Sequence, residues 1–432
     1  MSGSHPADVI PAKWRQVATV AICTVLNGLD GFDVLSISFA APGIASEWGM
    51  SRASVGVLLA VDLMGMAAGS ILIGMLCDRV GRYLTILSCV TMMALSMAGA
   101  ALSSDLPALI VCRLVTGLGI GGLLASTTTL VAETASSRWK DFAVALVAAG
   151  YTIGAAGGAA IASWLLATWD WRAVFWFGAG AAALMLPISA LVLKEPSAFL
   201  AVRRAAGSQA GGAAEAAAAH AADGAATKRD AAILGPRLRS ATLGLTLAYS
   251  LHLVTTYFLL KWGPKILVDL GSSPSVAAQI LVWVNIGGVL GAVSVSFLAR
   301  RFPVWSIVIT GMLGSAAAVA LFGWPGAGMA WLSTIAATAG FCASAVIAGI
   351  YVICAQTFPT AARASGTGFV IGIGRGGAVL SPILAGTLFS IDLPLYGVAT
   401  AMGGGSLMAA LMLLYWQKRQ RDRRLAEAGA AA

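Results

Sequence analysis

The chain has 432 residues, of which 59% are hydrophobic and only 10% charged, and its mean hydropathy is +0.86. A water-soluble domain carries roughly 25% charged residues, so this composition excludes a soluble globular protein. The net charge of +9 does not point to nucleic acid, because the basic residues fall between apolar segments rather than in one patch.

Runs of about 20 apolar residues read as membrane-spanning helices. Twelve are expected, centred near residues 28, 65, 94, 119, 153, 182, 254, 287, 313, 343, 377 and 405. The first run is too long for a cleaved leader and is read as a span. With the N-terminus on the cytoplasmic side, all but six of the 27 Lys and Arg residues fall on inner segments. The exceptions are Arg52, Arg113, Arg172, Lys261, Lys265 and Arg375. The positive-inside rule then places both termini in the cytoplasm. The basic tail could also touch anionic lipid.

The first span contains "NGLDGFDVLSISFAAP" (Asn27–Pro42). Asp30 and Asp33 lie three residues apart in a run with no other charge from Val17 to Ala45. A carboxylate at the centre of a membrane helix costs about 2.5–3.5 kcal/mol on insertion scales, so two imply a use. Three residues turn the side chains about 60° apart the short way, which lets both face one cavity. Such a pair can take up a proton on one side of the membrane and release it on the other. The structural alternative is that the pair braces the fourth span through Arg113. Gly31, between them, fits close helix packing or local unwinding.

The second span holds a further acid, Asp62, and ends in "GMLCDRVGR" (Gly74–Arg82). There Gly74 and Gly81 allow a tight turn, and Asp78, Arg79 and Arg82 supply ion pairs or helix caps. The spacing reads as a cytoplasmic gate whose contacts break in another state; the plainer alternative is a basic loop that only sets orientation. The fourth span opens on "RLVTGLGIGG" (Arg113–Gly122) and closes on Glu133. Arginine keeps its charge, so Arg113 needs an anionic or polar partner, for which Asp30, Asp33 and a substrate carboxylate are the choices. The alternative is that it snorkels to the outer interface. Glu133 is set to pair with Arg138 or the loop arginines.

Residues 195–239 interrupt the apolar pattern with an alanine-rich stretch and read as a cytoplasmic linker. It separates a first six-helix bundle (1–194) from a second (240–417), followed by a basic tail (418–432). The halves resemble each other. "GMAAGSILIGMLCDR" (Gly65–Arg79) lines up with "GGVLGAVSVSFLARR" (Gly287–Arg301), and "GYTIGAAGG" (Gly150–Gly158) with "GFVIGIGRG" (Gly368–Gly376). In the second half the Asp78 position is Arg300.

The seventh span brings "YSLHLVTTYFLLKWGPK" (Tyr249–Lys265). Tyr249, His252 and Thr256 share a face at helical spacing and, with Tyr257, suit a polar aromatic ring. His252 reads equally as an interior hydrogen-bonded histidine. Arg375, midway along the eleventh span, has no interface to reach and reads as facing a polar cavity, with Asp62 a partner at similar depth. The six cysteines show no CxxC or Cys/His spacing, so neither a disulfide framework nor a zinc site is expected. No Ser/His/Asp triad, P-loop or metal cluster is visible. No enzyme activity, metal or cofactor is expected.

These motifs resemble those of the aromatic acid/proton symporter family of the major facilitator superfamily. The resemblance is carried by DGFD at Asp30–Asp33, by Gly74–Arg82 and Arg113–Gly122, by "WRAVFWFG" (Trp171–Gly178) and by "ARASGTGFVIGIGRGGAVLSP" (Ala362–Pro382). It implies an all-α membrane protein of twelve helices in two pseudo-symmetric six-helix bundles with a central site. It also implies proton-driven import of benzoate-like acids through the bacterial inner membrane, by a protein acting as a monomer. Asp30, Asp33, Arg113, Glu133 and Arg375 fall on the family's charged positions, which implies proton coupling for the first four and substrate binding for Arg113 and Arg375. Two features depart from it: the ninth span reads "AAAVA" (Ala316–Ala320) where some relatives carry a histidine, and "LKEPSAFL" is a loose version of the family's ending to the sixth helix. The competing readings are transport of another organic anion, such as a dicarboxylate or sugar acid, and a membrane sensor. The sensor requires a signalling domain that the short basic tails do not supply.

Overall fold

A computed structural model describes residues 13–136, 139–195, 233–235, 238–324, 328–359 and 362–431. Among these residues the protein is all helical. The helices are α1 (Lys13–Glu47), α2 (Arg52–Val80), α3 (Arg82–Leu102), α4 (Leu106–Thr134), α5 (Lys140–Thr168) and α6 (Arg172–Val192). They continue as α7 (Arg239–Asp269), α8 (Pro274–Leu298), α9 (Val304–Phe322), α10 (Met329–Thr357), α11 (Arg363–Gly374), α12 (Gly376–Ser390) and α13 (Leu395–Ala431). Twelve spans are long and apolar enough to cross a membrane, α11 and α12 together making the eleventh. The shortest has 19 residues, about 28 Å at 1.5 Å per residue, which matches a hydrocarbon core of about 30 Å. Large apolar side chains point outward along these helices: Leu95 and Leu102 are 70% exposed and Leu191 81%. In water that surface would be costly; against lipid tails it is not.

The residues fall into two compact units. The first comprises residues up to Met50, Val61–Ala225 and Leu267–Gln279; the second comprises Ser51–Ala60, Ala226–Ile266 and Ile280–Ala432. The first turns of α2 thus belong with the second unit, and the α7–α8 corner belongs with the first. Most of the linker expected over 195–239 lies outside the described residues. Of the basic tail, the backbone continues α13 as helix to Ala431, while the side chains beyond Lys418 lie outside the description.

Small residues set the helix spacing in both units, as expected where lipid gives helices no hydrophobic reason to associate. In the first unit α1 packs on α5 through glycine. A Cβ added to Gly154 would strike the backbone of Gly28, and one on Gly31 the carbonyl oxygen of Tyr151. Gly31 therefore serves close packing, and α1 runs through it unbroken. α2 meets α4 in the same way, with Gly65 and Gly69 against Leu114 and Leu118, and Gly117 against the carbonyl of Asp62. The second unit repeats this pattern: Gly287 and Gly291 of α8 lie on Ala337 and Phe341 of α10. The other proposed match packs five to six residues further along. A Cβ added to Gly368 or Gly372 would meet nothing within 4 Å among the described residues, and the glycines that press α11 and α12 onto α7 are Gly374, against Tyr249, and Gly377, against Ser250.

Candidate functional site

The first unit encloses a polar network in its interior. Asp30, Asp33 and Arg113 are 0% exposed and Asp62 is 1% exposed. Asp33 reaches this depth because α6 has no side chain at Gly178, where an added Cβ would lie 3.0 Å from Asp33 Oδ1. Asp30, a turn earlier, lies within electrostatic reach of Cys89 on α3. None of the four carboxyl oxygens of Asp30 and Asp33 accepts a hydrogen bond from a described residue.

From the sequence, Arg113 has Asp30, Asp33 or a substrate carboxylate as its candidate partners. Instead its Nη2 donates to Asp62 Oδ2 at 3.2 Å and to the main-chain carbonyl of Asp33 at 2.8 Å. Nη1 reaches Met97 Sδ at 3.1 Å, and the guanidinium carbon sits 5.6 Å from the centroid of the Phe175 ring. The close α2–α4 approach explains the pairing: it brings Asp62 beside the helix that carries Arg113. Asp62, expected opposite Arg375, has Arg113 as its ion-pair partner. Snorkelling is overturned too, since Arg113 has no exposed surface. Asp62 Oδ1 accepts from Leu63 N at 2.9 Å. Around this core, Asn27 Nδ2 donates to Thr127 Oγ1 and Ser96 lies 2.8 Å from Thr116, joining α1 to α4 and α3 to α4.

The end of the bundle at the α2–α3 turn carries a second polar cluster. Gly81 has φ +108, a conformation that favours glycine. Directly after it, Glu195 accepts from the backbone N–H of Arg82 at 2.7 Å and of Tyr83 at 3.0 Å, capping α3. Arg82 Nη2 pairs with Glu133 Oε1 at 3.0 Å. Glu133 thus sits 20 residues along α4 from Arg113, about 30 Å away, and belongs to this cluster rather than to the buried acids. Arg79 is exposed, and a Cβ added to Gly74 would lie 4.0 Å from Ala125 Cβ. The side chain of Asp78, and Arg138 as a partner for Glu133, lie outside the described residues. At the opposite end, Glu47 accepts from Arg172 through both oxygens and from Trp171 Nε1 at 2.7 Å. This clasps the end of α1 to the start of α6.

In the second unit Arg375 is half-buried at the junction of α11 and α12. The helix tightens there, Ala378 N bonding to the carbonyl of Arg375 at 2.9 Å. Gly374 fits against the Tyr249 ring, and Tyr249 lies within electrostatic reach of Tyr351, Arg375 and Tyr257. Tyr249 is 4% exposed, whereas Tyr351 on α10 presents 45% of its surface. His252 is fully buried, with Nδ1 2.8 Å from Ser406 Oγ and Nε2 3.4 Å from both the Ala343 carbonyl and Thr256 Oγ1. These are the contacts of an interior hydrogen-bonded histidine. Lys261, on the same helix, is also fully buried.

Three residues stand out that the sequence reading did not assign: Glu195, Tyr351 and Lys261. Lys261 had a signal as a charge inside the seventh span, and Glu195 in the Lys194–Glu195 pair that closes the sixth. No metal-binding group of His, Cys, Asp or Glu occurs among the described residues.

Comparison with known proteins agrees with this architecture. The family model described as Major Facilitator Superfamily matches residues 20–264 and 244–432. The chain is 31% identical to the gallate transporter of Pseudomonas putida, over 94% of this chain and 93% of that one. It is 27% identical to the 3-(3-hydroxy-phenyl)propionate transporter of Escherichia coli K12, over 94% and 95%. Among solved structures, a D-xylose-proton symporter superposes with a TM-score of 0.71 at 18% identity, covering 92% of this chain and 97% of its own. With twelve apolar spans, a glycine-packed repeat and matches that run nearly end to end, the chain belongs to the Major Facilitator Superfamily.

Proposed function

We propose that this chain imports an aromatic carboxylate across the bacterial inner membrane together with protons, by alternating access, with both termini in the cytoplasm. The observation that carries the proposal is the pair of fully buried α1 carboxyls with no hydrogen-bond donor among the described residues. Ionised together, they would leave excess negative charge in a low-dielectric interior; protonated, they would not. That difference is what a proton carrier uses. Substrate recognition falls to the second unit, where Arg375 supplies the charge for a carboxylate and Tyr249, Tyr257 and Tyr351 the aromatic surroundings. Relatives named for gallate and hydroxyphenylpropionate support the substrate class.

The α2–α3 cluster of Gly81, Arg82, Glu133 and Glu195, with Gly74, Asp78 and Arg79 of the same motif, serves as the cytoplasmic gate. The positive-inside pattern supports that orientation. The protein works as a monomer, needing no cofactor beyond the proton gradient. The test is uptake of a labelled hydroxybenzoate into proteoliposomes under an inward proton gradient, with its carboxamide as competitor. Accumulation that collapses with a protonophore and ignores the amide supports the reading. Accumulation without a gradient, or equal competition by the amide, overturns it. Preference for a dicarboxylate or sugar acid would establish the competing reading.

A further inference from the structure

The buried network of the first unit holds three acids, Asp30, Asp33 and Asp62, and one base, Arg113. The proposed function uses the α1 pair and gives Asp62 no task. We infer that Asp62 is the resident counter-ion of Arg113: a positioning residue that keeps the guanidinium off the Asp33 carboxyl while that carboxyl holds its proton, and shares the guanidinium with it once the proton leaves. The inference rests on the reading of the α1 pair as the proton carrier.

The geometry supplies both states. Arg113 Nη2 already touches Asp33, but through its main-chain carbonyl at 2.8 Å, while its ion pair goes to Asp62 at 3.2 Å. Changing from the carbonyl to the carboxyl of the same residue needs side-chain rotation and no shift of a helix. The partners for the second state are present and unused: Arg113 Nε has no acceptor, and neither carboxyl oxygen of Asp33 has a donor, among the described residues. Gly178 places no side chain of α6 against Asp33 Oδ1, where the Met97 side chain also packs. The backbone fixes the other end of the switch, because Gly117 packs on the carbonyl of Asp62 one turn along α4 from Arg113. Without Asp62, Arg113 would have no charged partner whenever Asp33 is protonated, and a buried unpaired charge is strongly destabilising. With it, the proton leaves Asp33 as a carboxylate forms within reach of a guanidinium held ready.

The test is a double-mutant cycle read by thermal unfolding of the purified protein, together with transport. Asp33→Asn should unfold near the wild-type temperature, since Arg113 keeps Asp62. Asp62→Asn should fold because the Asp33 carboxylate takes over the guanidinium. Fixed there, it should retain substrate exchange and lose proton-driven accumulation, while Asp62→Glu restores accumulation. The combined Asp33→Asn/Asp62→Asn protein should lose more stability than the two single losses together, and adding Arg113→Gln should recover it. Additive losses, or accumulation by Asp62→Asn at the wild-type level, would overturn the inference. The stability cycle reads the partners of Arg113 whatever is transported. A non-additive cycle alongside full accumulation by Asp33→Asn would therefore keep the counter-ion and refute the proton reading.

Discussion

Replacing Glu195 with alanine removes both acceptors from the first turn of α3. The N–H groups of Arg82 and Tyr83 are among the four at a helix start with no partner inside the helix, and Glu195 binds both, at 2.7 and 3.0 Å. A lost cap costs about 0.5–2 kcal/mol, and loss of a carboxylate from a helix N-terminus about 0.3–1 kcal/mol more. Glu195 is half-buried, so solvent screens part of this, and the expected loss for Glu195→Ala is about 2 kcal/mol. Glu195→Gln keeps one acceptor and loses the charge, and should fall about halfway. Thermal unfolding in detergent checks the order wild type, Gln, Ala, with shifts of a few degrees for a chain of this size. Gly81 offers a control: an added Cβ would lie 2.6 Å from Glu195 Oε2, at φ +108, so Gly81→Ala should disturb the same cap from the other side. If Glu195→Ala unfolds at the wild-type temperature, the cap does not hold the α2–α3 turn and the reasoning fails.

Gly154→Leu should separate α1 from α5, because any side chain there meets the Gly28 backbone; overpacking of this kind costs about 1–3 kcal/mol and should lower both the unfolding temperature and the yield of folded protein. Arg375→Gln should raise KM for the aromatic acid about 10- to 100-fold, the value of a charge-assisted contact of about 1.5–3 kcal/mol, with the protein still folded; uptake kinetics check it. Glu47→Gln breaks an ion pair whose side chains are 42% and 29% exposed, so solvent limits the loss to about 1 kcal/mol, read as a small drop in unfolding temperature.

Much of this architecture is legible in the sequence, because lipid makes hydropathy decisive. Charges are rare enough in apolar spans that Asp30, Asp33, Asp62, Arg113 and Arg375 can each be singled out. Their pairing is not legible. Helical spacing says which residues share a face of one helix, not which neighbour that face meets. Arg113 pairs with Asp62 because Gly65 and Gly117 let α2 and α4 touch, a consequence of packing that no single span announces. The same limit applies to His252, whose partners Ser406 and Ala343 lie on α13 and α10, and to the α11 glycines, where a match of sequence missed the packing position by five to six residues. Glu195 is visible as a charge that closes the sixth span, but its role is not, since its partners are backbone N–H groups that leave no side-chain signature.

Substrate movement in reconstituted vesicles, measured for Asp30→Asn and Asp33→Asn beside the wild type, tests the central claim most directly. Two modes are compared: accumulation driven by an inward proton gradient, and exchange of labelled for unlabelled acid with no gradient. Asparagine fills the same space and removes the titratable proton, so the account predicts that accumulation is lost in both variants while exchange persists. Accumulation at the wild-type level in either variant would contradict the assignment of that carboxyl as a proton carrier. Parallel loss of accumulation, exchange and thermal stability would show that the α1 pair braces the bundle instead.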